Sequence, residues 1–215
     1  MATLVRTVQV GLLQVNCHLV WEADTGTGVI IDPGADAERI AAQIAAAGFI
    51  PAAVLLTHAH VDHIGAVGDL SRRYGIGVFL AAEDLDIYRS RDNCFPPWLP
   101  AVEDLPAPAG RLPAMAGLSC RVLATPGHTP GSVCFLFPEA GLLCSGDTLF
   151  SGGVGRTDFP GGSQAALVQS IRDVLYRLPD TTRVLPGHNG PTSIGAEKGG
   201  NPFVRPENTA RSSGR

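Results

Sequence analysis

Charge is scarce in this 215-residue chain: 17% of residues are Asp, Glu, Lys or Arg, and the formal net charge is −4. Clustered Lys and Arg, the electrostatic footprint of nucleic-acid binding, are missing, so no nucleic-acid partner is expected. No run approaches the roughly 18 consecutive apolar residues of a membrane span. The opening MATLVRTVQV also lacks the apolar core and cleavage site of a secretory signal. No membrane partner and a cytoplasmic location are therefore the expectation. The five cysteines, Cys17, Cys94, Cys120, Cys134 and Cys144, are odd in number, scattered and never spaced CxxC. That pattern argues against a disulfide scaffold and for reduced thiols used in packing. No internal repeat or second domain is visible. With 45% hydrophobic residues the chain has enough apolar material for one core, expected over residues 1–204, while the polar tail 205–215 is expected to be disordered.

Against that background one stretch stands out, Thr57–His63, reading THAHVDH. It follows the buried-strand pattern of Ala52–Leu56 and precedes Ile64, Val67, Leu70 and Ser71 at helical spacing, which places it on a strand-to-helix loop. In an extended segment residues i and i+2 point the same way, so His58 and His60 can share one metal while the following turn aims Asp62 and His63 elsewhere. Imidazole and carboxylate suit zinc and similar divalent ions, and two-metal catalytic sites hold their ions about 3.5–4 Å apart. Half of the six histidines lie in this loop.

The rest of the chain reads as mixed strands and helices. Strands are expected at Leu4–Val10, Cys17–Trp21, Val29–Ile31, Val54–Leu56, Val78–Ala81, Arg121–Ala124, Val133–Phe137, Leu142–Ser145 and Arg183–Leu185. Asp36 is placed to cap a helix through Ala37, Ile40, Ile44 and Ala47 that stops at Gly48, and a helix after His63 should halt near Gly75. Ser163 is placed to cap a third, with Leu167, Ile171, Val174, Leu175 and Leu178 on its buried face and Pro179 at its end. Residues 90–114 carry six prolines and the aromatics Phe95 and Trp98, marking an irregular excursion that either walls the site or is a surface loop. His18 lies inside a strand, away from any ligand motif, and reads as a hydrogen-bonded structural histidine. The glycine-rich Ser151–Gly162 has neither GK[ST] nor a strand-to-helix GxGxxG, which argues against a nucleotide site.

His58, His60, Asp62 and His63 form the HxHxDH signature of the metallo-β-lactamase superfamily, and the chain resembles that family further along. His128 in ATPGHTPGS, Asp147 in LLCSGDTLF and His188 in VLPGHNGP fill the later ligand positions in order. SGDTLFSGGVGRTDFPGG and LPGHNGPTSIGAEKGGNPF are similar to the short bacterial glyoxalase II-like hydrolases, with the resemblance running from about Gly11 to Phe203. It implies an α/β fold, an αββα sandwich of two mixed sheets flanked by helices. It also implies two divalent metal ions, zinc first, with iron or manganese accepted by the same ligands. His58, His60 and His128 would hold one, Asp62, His63 and His188 the other, and Asp147 would bridge. The implied activity is hydrolysis of a small-molecule thioester of the S-lactoylglutathione type by a metal-bound hydroxide that Asp62 orients. The long form's C-terminal helical extension, which supplies glutathione contacts, has no counterpart here.

Arg156 is the one basic residue between Asp147 and Gln164 and is expected to grip a substrate carboxylate, with an ion pair to Asp158 as the structural alternative. Lys198 or Arg205 could hold a second carboxylate. A rival enzyme class shares the fold and the GRTDF-like segment: persulfide dioxygenases with a single iron, for which His58, His128 and Asp147 would be the facial triad. A silent metal-binding scaffold would predict a lost ligand, and none is lost. A β-lactamase role is disfavoured by the missing export signal.

Overall fold

The computed structural model describes residues 2–205; the expectation of a disordered tail over 205–215 lies, apart from Arg205, outside the described residues. The chain opens with β1 (Thr3–Val10), β2 (Val15–Glu22) and β3 (Thr27–Ile31), then α1 (Ala37–Ala47) and β4 (Ile50–Leu55). Next come α2 (Val61–Ile64), α3 (Val67–Tyr74), β5 (Gly77–Phe79) and α4 (Leu85–Arg89). After the excursion follow β6 (Arg121–Ala124), β7 (Val133–Phe137), β8 (Leu142–Gly146), β9 (Leu149–Phe150) and β10 (Gly153–Val154). The chain closes with α5 (Gln164–Asp173), β11 (Arg183–Pro186), β12 (Thr192–Ser193) and α6 (Ile194–Gly200).

The strands make two five-stranded sheets, ordered β1-β2-β3-β4-β5 and β12-β11-β8-β7-β6, with β9 and β10 as a separate ribbon. Both sheets are mixed. In the first, β1, β2 and β3 pair antiparallel, while β3 to β4 and β4 to β5 run parallel. In the second, only β8 and β11 run parallel. Parallel neighbours need crossovers, and α1 supplies the one from β3 to β4.

Three apolar layers follow from this arrangement. Val20, Val29, Ile31 and Leu55 of the first sheet face Val133, Phe135, Phe137 and Leu185 of the second, with Phe79 and Phe135 edge-on at 5.8 Å. The first sheet's other face packs Leu19, Ile30 and Val54 on Ile40 and Ile44 of α1 and Leu70 of α3. The second sheet's other face packs Leu136, Leu143 and Val184 on Leu167 and Ile171 of α5 and Ile194 of α6. Each such buried side chain contributes roughly 1.5–3 kcal/mol relative to exposure. Strands covered on both faces explain why β2 and β8 are apolar-rich and buried at every position rather than alternating. The fold is the expected αββα sandwich.

Local expectations fare unevenly. Gly48 ends α1 at φ 72 with its N–H on the Ala45 and Ile44 carbonyls, and Ser163 caps α5 by accepting from Ala166 N–H. Asp36, in contrast, does not cap α1. Its backbone sits at φ 55, which carries the side chain away from the first turn, and its Oδ2 accepts Gly11 N–H at 3.0 Å instead. The helix after His63 is broken into α2 and α3, because the chain turns at Gly65 and Ala66 against the Pro33–Gly34 backbone. Ala66 N–H reaches Pro33 O at 2.8 Å, and a Cβ on Gly65 would collide with Gly34 O. Strand β5 ends at Phe79, short of the expected Ala81. Residues 90–114 form no helix or strand beyond isolated bridges, and Trp98 is 59% exposed.

Candidate metal centre

The motif histidines gather where strands of both sheets end. The loop after β4 brings His58 and His60, and α2 brings Asp62 and His63; the loop after β6 brings His128; β8 ends into Asp147; β11 ends into the turn that carries His188. His58 Nε2 lies 3.2 Å from His128 Nε2, and His60 Nδ1 lies 2.8 Å from the same atom. His188 Nε2 lies 3.3 Å and His63 Nε2 3.8 Å from Asp62 Oδ2. Asp147 stands between the groups: Oδ1 is 3.4 Å from His63 Nε2, and Oδ2 is 3.7 Å from both His128 Nε2 and His188 Nε2. His58, His60 and His128 form one cluster able to hold a cation, and Asp62, His63 and His188 another.

The outer hydrogen bonds decide which ring nitrogens carry lone pairs inward. Thr57 N–H and Oγ1–H both donate to Asp32, at 2.8 and 2.6 Å. The Thr57 hydroxyl proton is thereby used, so at 3.0 Å Thr57 Oγ1 accepts from His58 Nδ1–H, and His58 Nε2 is left bare. His128 Nδ1–H donates to Arg156 O at 2.7 Å and His188 Nδ1–H to Leu13 O at 3.2 Å, which leaves His128 Nε2 bare and turns His188 Nε2 towards Asp62 Oδ2, 3.3 Å away. Histidine ligands of metals are held this way, through the nitrogen that does not bind. Buried His63 Nε2 and Asp147 Oδ1 have no hydrogen-bond partner among the described residues, and lone pairs on His58 and His128 face each other. Polar atoms buried in this way are costly unless positive charge, a proton or a bound metal ion, comes between them. The donor set, nitrogen and carboxylate oxygen, fits a borderline divalent ion.

Protonation differs between the clusters in the metal-free protein. Burial, reinforced by neighbouring imidazoles, pushes His58 far below its ordinary value and His60 down to about 3. Burial also opposes charge on His63, but Asp147, Asp62 and Asp32 prevail and raise it to about 10. His188 is likewise raised, by Asp62 and Asp147 against burial. Asp62 is held well below the carboxylate range: burial opposes this, and His63 and His188 overcome it.

Three positioning groups carried no usable sign in the sequence. Asp32, the residue after the expected strand Val29–Ile31, is buried at φ 50, binds Thr57 and lies 3.1 Å from His63 Nδ1, so one carboxylate backs a member of each cluster. The available hint was a charged residue closing the apolar run VII. Asp84 accepts from Ala59 N–H, Thr129 Oγ1–H and Gly131 N–H at 3.0, 2.8 and 2.7 Å, fastening the two histidine loops together. Asn93, in the excursion, accepts from Val61 N–H at 2.9 Å and donates to Ala59 O at 2.6 Å. Gly187 allows the chain leaving β11 to pass the centre, since a Cβ there would meet Asp147 Oδ1 and His63.

A cavity of about 650 Å³ opens over the cluster, walled by Leu13, Ile87, Phe95, Phe150 and Phe159 with His60, Asp62, Asp147 and His188 at its floor. Phe95 and Asn93 come from the excursion, so that segment walls the site. Arg156 reaches the rim with its fork already filled: Nε and Nη2 donate to Asp158 at 2.7 and 2.6 Å, and the guanidinium lies 4.1 Å from the Phe159 ring centre. Lys198 does not line the cavity; it donates to Asp180 Oδ1 at 2.5 Å and Leu178 O at 3.2 Å. Arg205 is likewise absent from the lining. No helix among the described residues is long and apolar enough to cross a membrane.

Comparison with known proteins agrees with this geometry. A hydroxyacylglutathione hydrolase, GloC, from Haemophilus influenzae is 36% identical over 207 residues, spanning 93% of this chain and 97% of its own length. The crystal structure of TTHA1623 in a di-iron-bound form superposes with a TM-score of 0.82 at 41% identity, covering 93% of this chain and 100% of that one. The crystal structure of BLEG-1 B3 metallo-beta-lactamase superposes with a TM-score of 0.83 at 33% identity, covering 94% and 99%. The family model of the metallo-beta-lactamase superfamily matches residues 10–188, from the end of β1 to the last ligand-type histidine, and the chain belongs to that superfamily of metallo-hydrolases.

Proposed function

We propose that the protein is a metal-dependent thioester hydrolase acting on S-lactoylglutathione-type substrates. The observation that carries this reading is the gathering of seven ligand-type groups into two clusters joined by Asp147, five of which, His60, Asp62, His128, Asp147 and His188, line one cavity. His58 Nε2, His60 Nδ1 and His128 Nε2 would hold one divalent ion, Asp62, His63 and His188 the other, and Asp147 would touch both. When bound, such a pair lowers the pKa of water towards 7 and polarises a carbonyl, which supplies a nucleophile and an electrophile at neutral pH.

The chain's own groups do the rest. Asp62, held ionised by His63 and His188, accepts a hydrogen bond from the attacking water and orients it. Asp32, Thr57, the Arg156 carbonyl and the Leu13 carbonyl hold the imidazoles in register. A thiolate leaves readily, so no general acid is required at the departing sulfur. Phe95, Phe150 and Phe159 exclude water around the acyl and thiol portions. The 36% identity to a hydroxyacylglutathione hydrolase supports the glutathione thiol as the leaving group. Arg156 remains the substrate contact at the rim, sharing its guanidinium between Asp158 and an incoming carboxylate.

A second reading, a single-iron persulfide dioxygenase using His58, His128 and Asp147, draws on the 3.7 Å approach of Asp147 Oδ2 to His128 Nε2; the 41%-identical neighbour holds iron, but as a pair. Elemental analysis of purified protein with a substrate panel separates the readings. Two metals per chain with thioester turnover supports the hydrolase. One iron per chain with oxygen uptake on glutathione persulfide overturns it, as does β-lactam turnover exceeding that of every thioester.

A further inference from the structure

A second cavity, of about 710 Å³, shares no lining residue with the first. It wraps the free edge of β1, the terminal strand of its sheet, and reaches across to β11 and the loop that follows His188. Its charged lining residues are Arg6, Arg39 and Arg183, with no Asp or Glu among them, in a chain whose net charge is −4. Arg6 approaches from the α1 side, where Nη1 donates to Gln43 O and Oε1 at 3.2 and 3.0 Å. Arg39 and Arg183 have no ion-pair partner among the described residues, and Glu38, beside Arg39 in sequence, is taken by Arg73 at 2.7 Å. Three guanidinium groups around one concavity, with no carboxylate to neutralise them, repel one another and raise the local potential. Their planar forks suit phosphate or carboxylate oxygens.

The cavity wall is also the anchor of the His188 loop. Asn16 N–H donates to Gly187 O at 2.7 Å, and Asn16 Nδ2 to Pro186 O and Asn189 O at 3.0 and 2.8 Å. His18 Nε2–H donates to Pro186 O at 3.1 Å, which makes Nδ1 the acceptor for Thr7 Oγ1–H at 3.0 Å. His18 is thus the structural residue expected from its position, and it forms part of the floor of this cavity.

We propose that this cavity is a binding site for a small dianion, a phosphomonoester or a dicarboxylate, and that occupancy steadies the loop carrying His188 by tying Arg6 and Arg39 to Arg183 and the Asn189–Pro191 backbone. The volume is that of an ordinary small-molecule site. The test uses metal-loaded full-length protein at fixed ionic strength, titrated calorimetrically with glucose 6-phosphate and with glutarate. At least one probe binds with a Kd below about 1 mM, and amide exchange at Gly187–Gly190 slows in its presence. The Arg6→Ser/Arg183→Ser double variant, and Arg39→Ser as a milder second variant, weaken that binding by about tenfold or more while metal content and thioester turnover without probe stay unchanged. Binding of glucose 6-phosphate alone identifies a phosphorylated ligand, and binding of glutarate alone a dicarboxylate; both support the site. Binding of neither probe overturns it, as does binding that survives both variants or disappears when the metals are removed.

Discussion

The two halves of the candidate metal centre are built on opposite electrostatic plans. His58, His60 and His128 meet nitrogen to nitrogen, with burial and mutual repulsion keeping His58 and His60 neutral. Asp62, His63 and His188 form a charged group, in which carboxylates hold His63 protonated up to about pH 10. One half offers ready lone pairs. The other must release protons before it can bind a cation. Asp147 spans them, so the halves are distinct in protonation but joined in geometry.

The contrast can be broken most severely at the joint. Asp147→Ala should remove metal from both halves and lower thioester turnover by more than about 100-fold, whereas His58→Ala should lose one metal equivalent first; metal content per chain with kcat on a thioester checks both. Asp32→Asn is next. Because Asp32 backs His58 through Thr57 and His63 directly, metal affinity in a chelator competition should fall by about 10–100-fold in both halves with the fold intact. Unequal losses would show that one cluster does not depend on it.

The pH dependence sharpens the contrast directly. In metal-free protein, His63's raised value stabilises the native state fully below its unfolded pKa of about 6.5 and loses that contribution as pH rises through about 10. Binding to the second half should therefore tighten with pH over that window, by up to about tenfold per unit for each proton released, while binding to the first half stays nearly flat. Competition titrations between pH 6.5 and 10 measure the slopes. The smallest effect is expected outside both halves. Arg156→Met should raise KM for S-lactoylglutathione a few-fold, leave a small uncharged thioester nearly unchanged and leave metal content intact. Equal losses on both substrates would assign Arg156, with its Asp158 pair, to support of the loop instead.

Much of this was legible in the primary structure because ligand spacing is a local property. HxHxDH and the single His128, Asp147 and His188 stand at strand ends, and strand ends are marked by apolar runs meeting Gly, Pro or polar residues. The starts of the principal helices and the nine expected strands were legible for the same reason, through periodicity and the stops at Gly48 and Gly75, whereas the helix capped by Ser163 ends at Asp173 and gives way to a tighter single turn over Leu175–Arg177, short of the expected stop at Pro179. The short elements α4, α6, β9, β10 and β12 were not legible, since two to seven residues are too few to display a period. Asp36 misled because the capping pattern records residue type, while capping depends on the backbone dihedrals that aim the side chain.

By itself, then, the sequence determined the candidate ligand residues and their order, which rest on residue identity and nearest-neighbour pattern, and the sandwich followed from the family resemblance those residues carry. The tertiary structure alone decided which atoms of those ligands face one another, that Asp32, Asp84 and Asn93 brace them, and that Asp158 occupies Arg156. It also brought Arg6 and Arg183, 177 positions apart, to one cavity. Those outcomes depend on contacts between distant segments, whose side-chain directions are set only once the two sheets have packed.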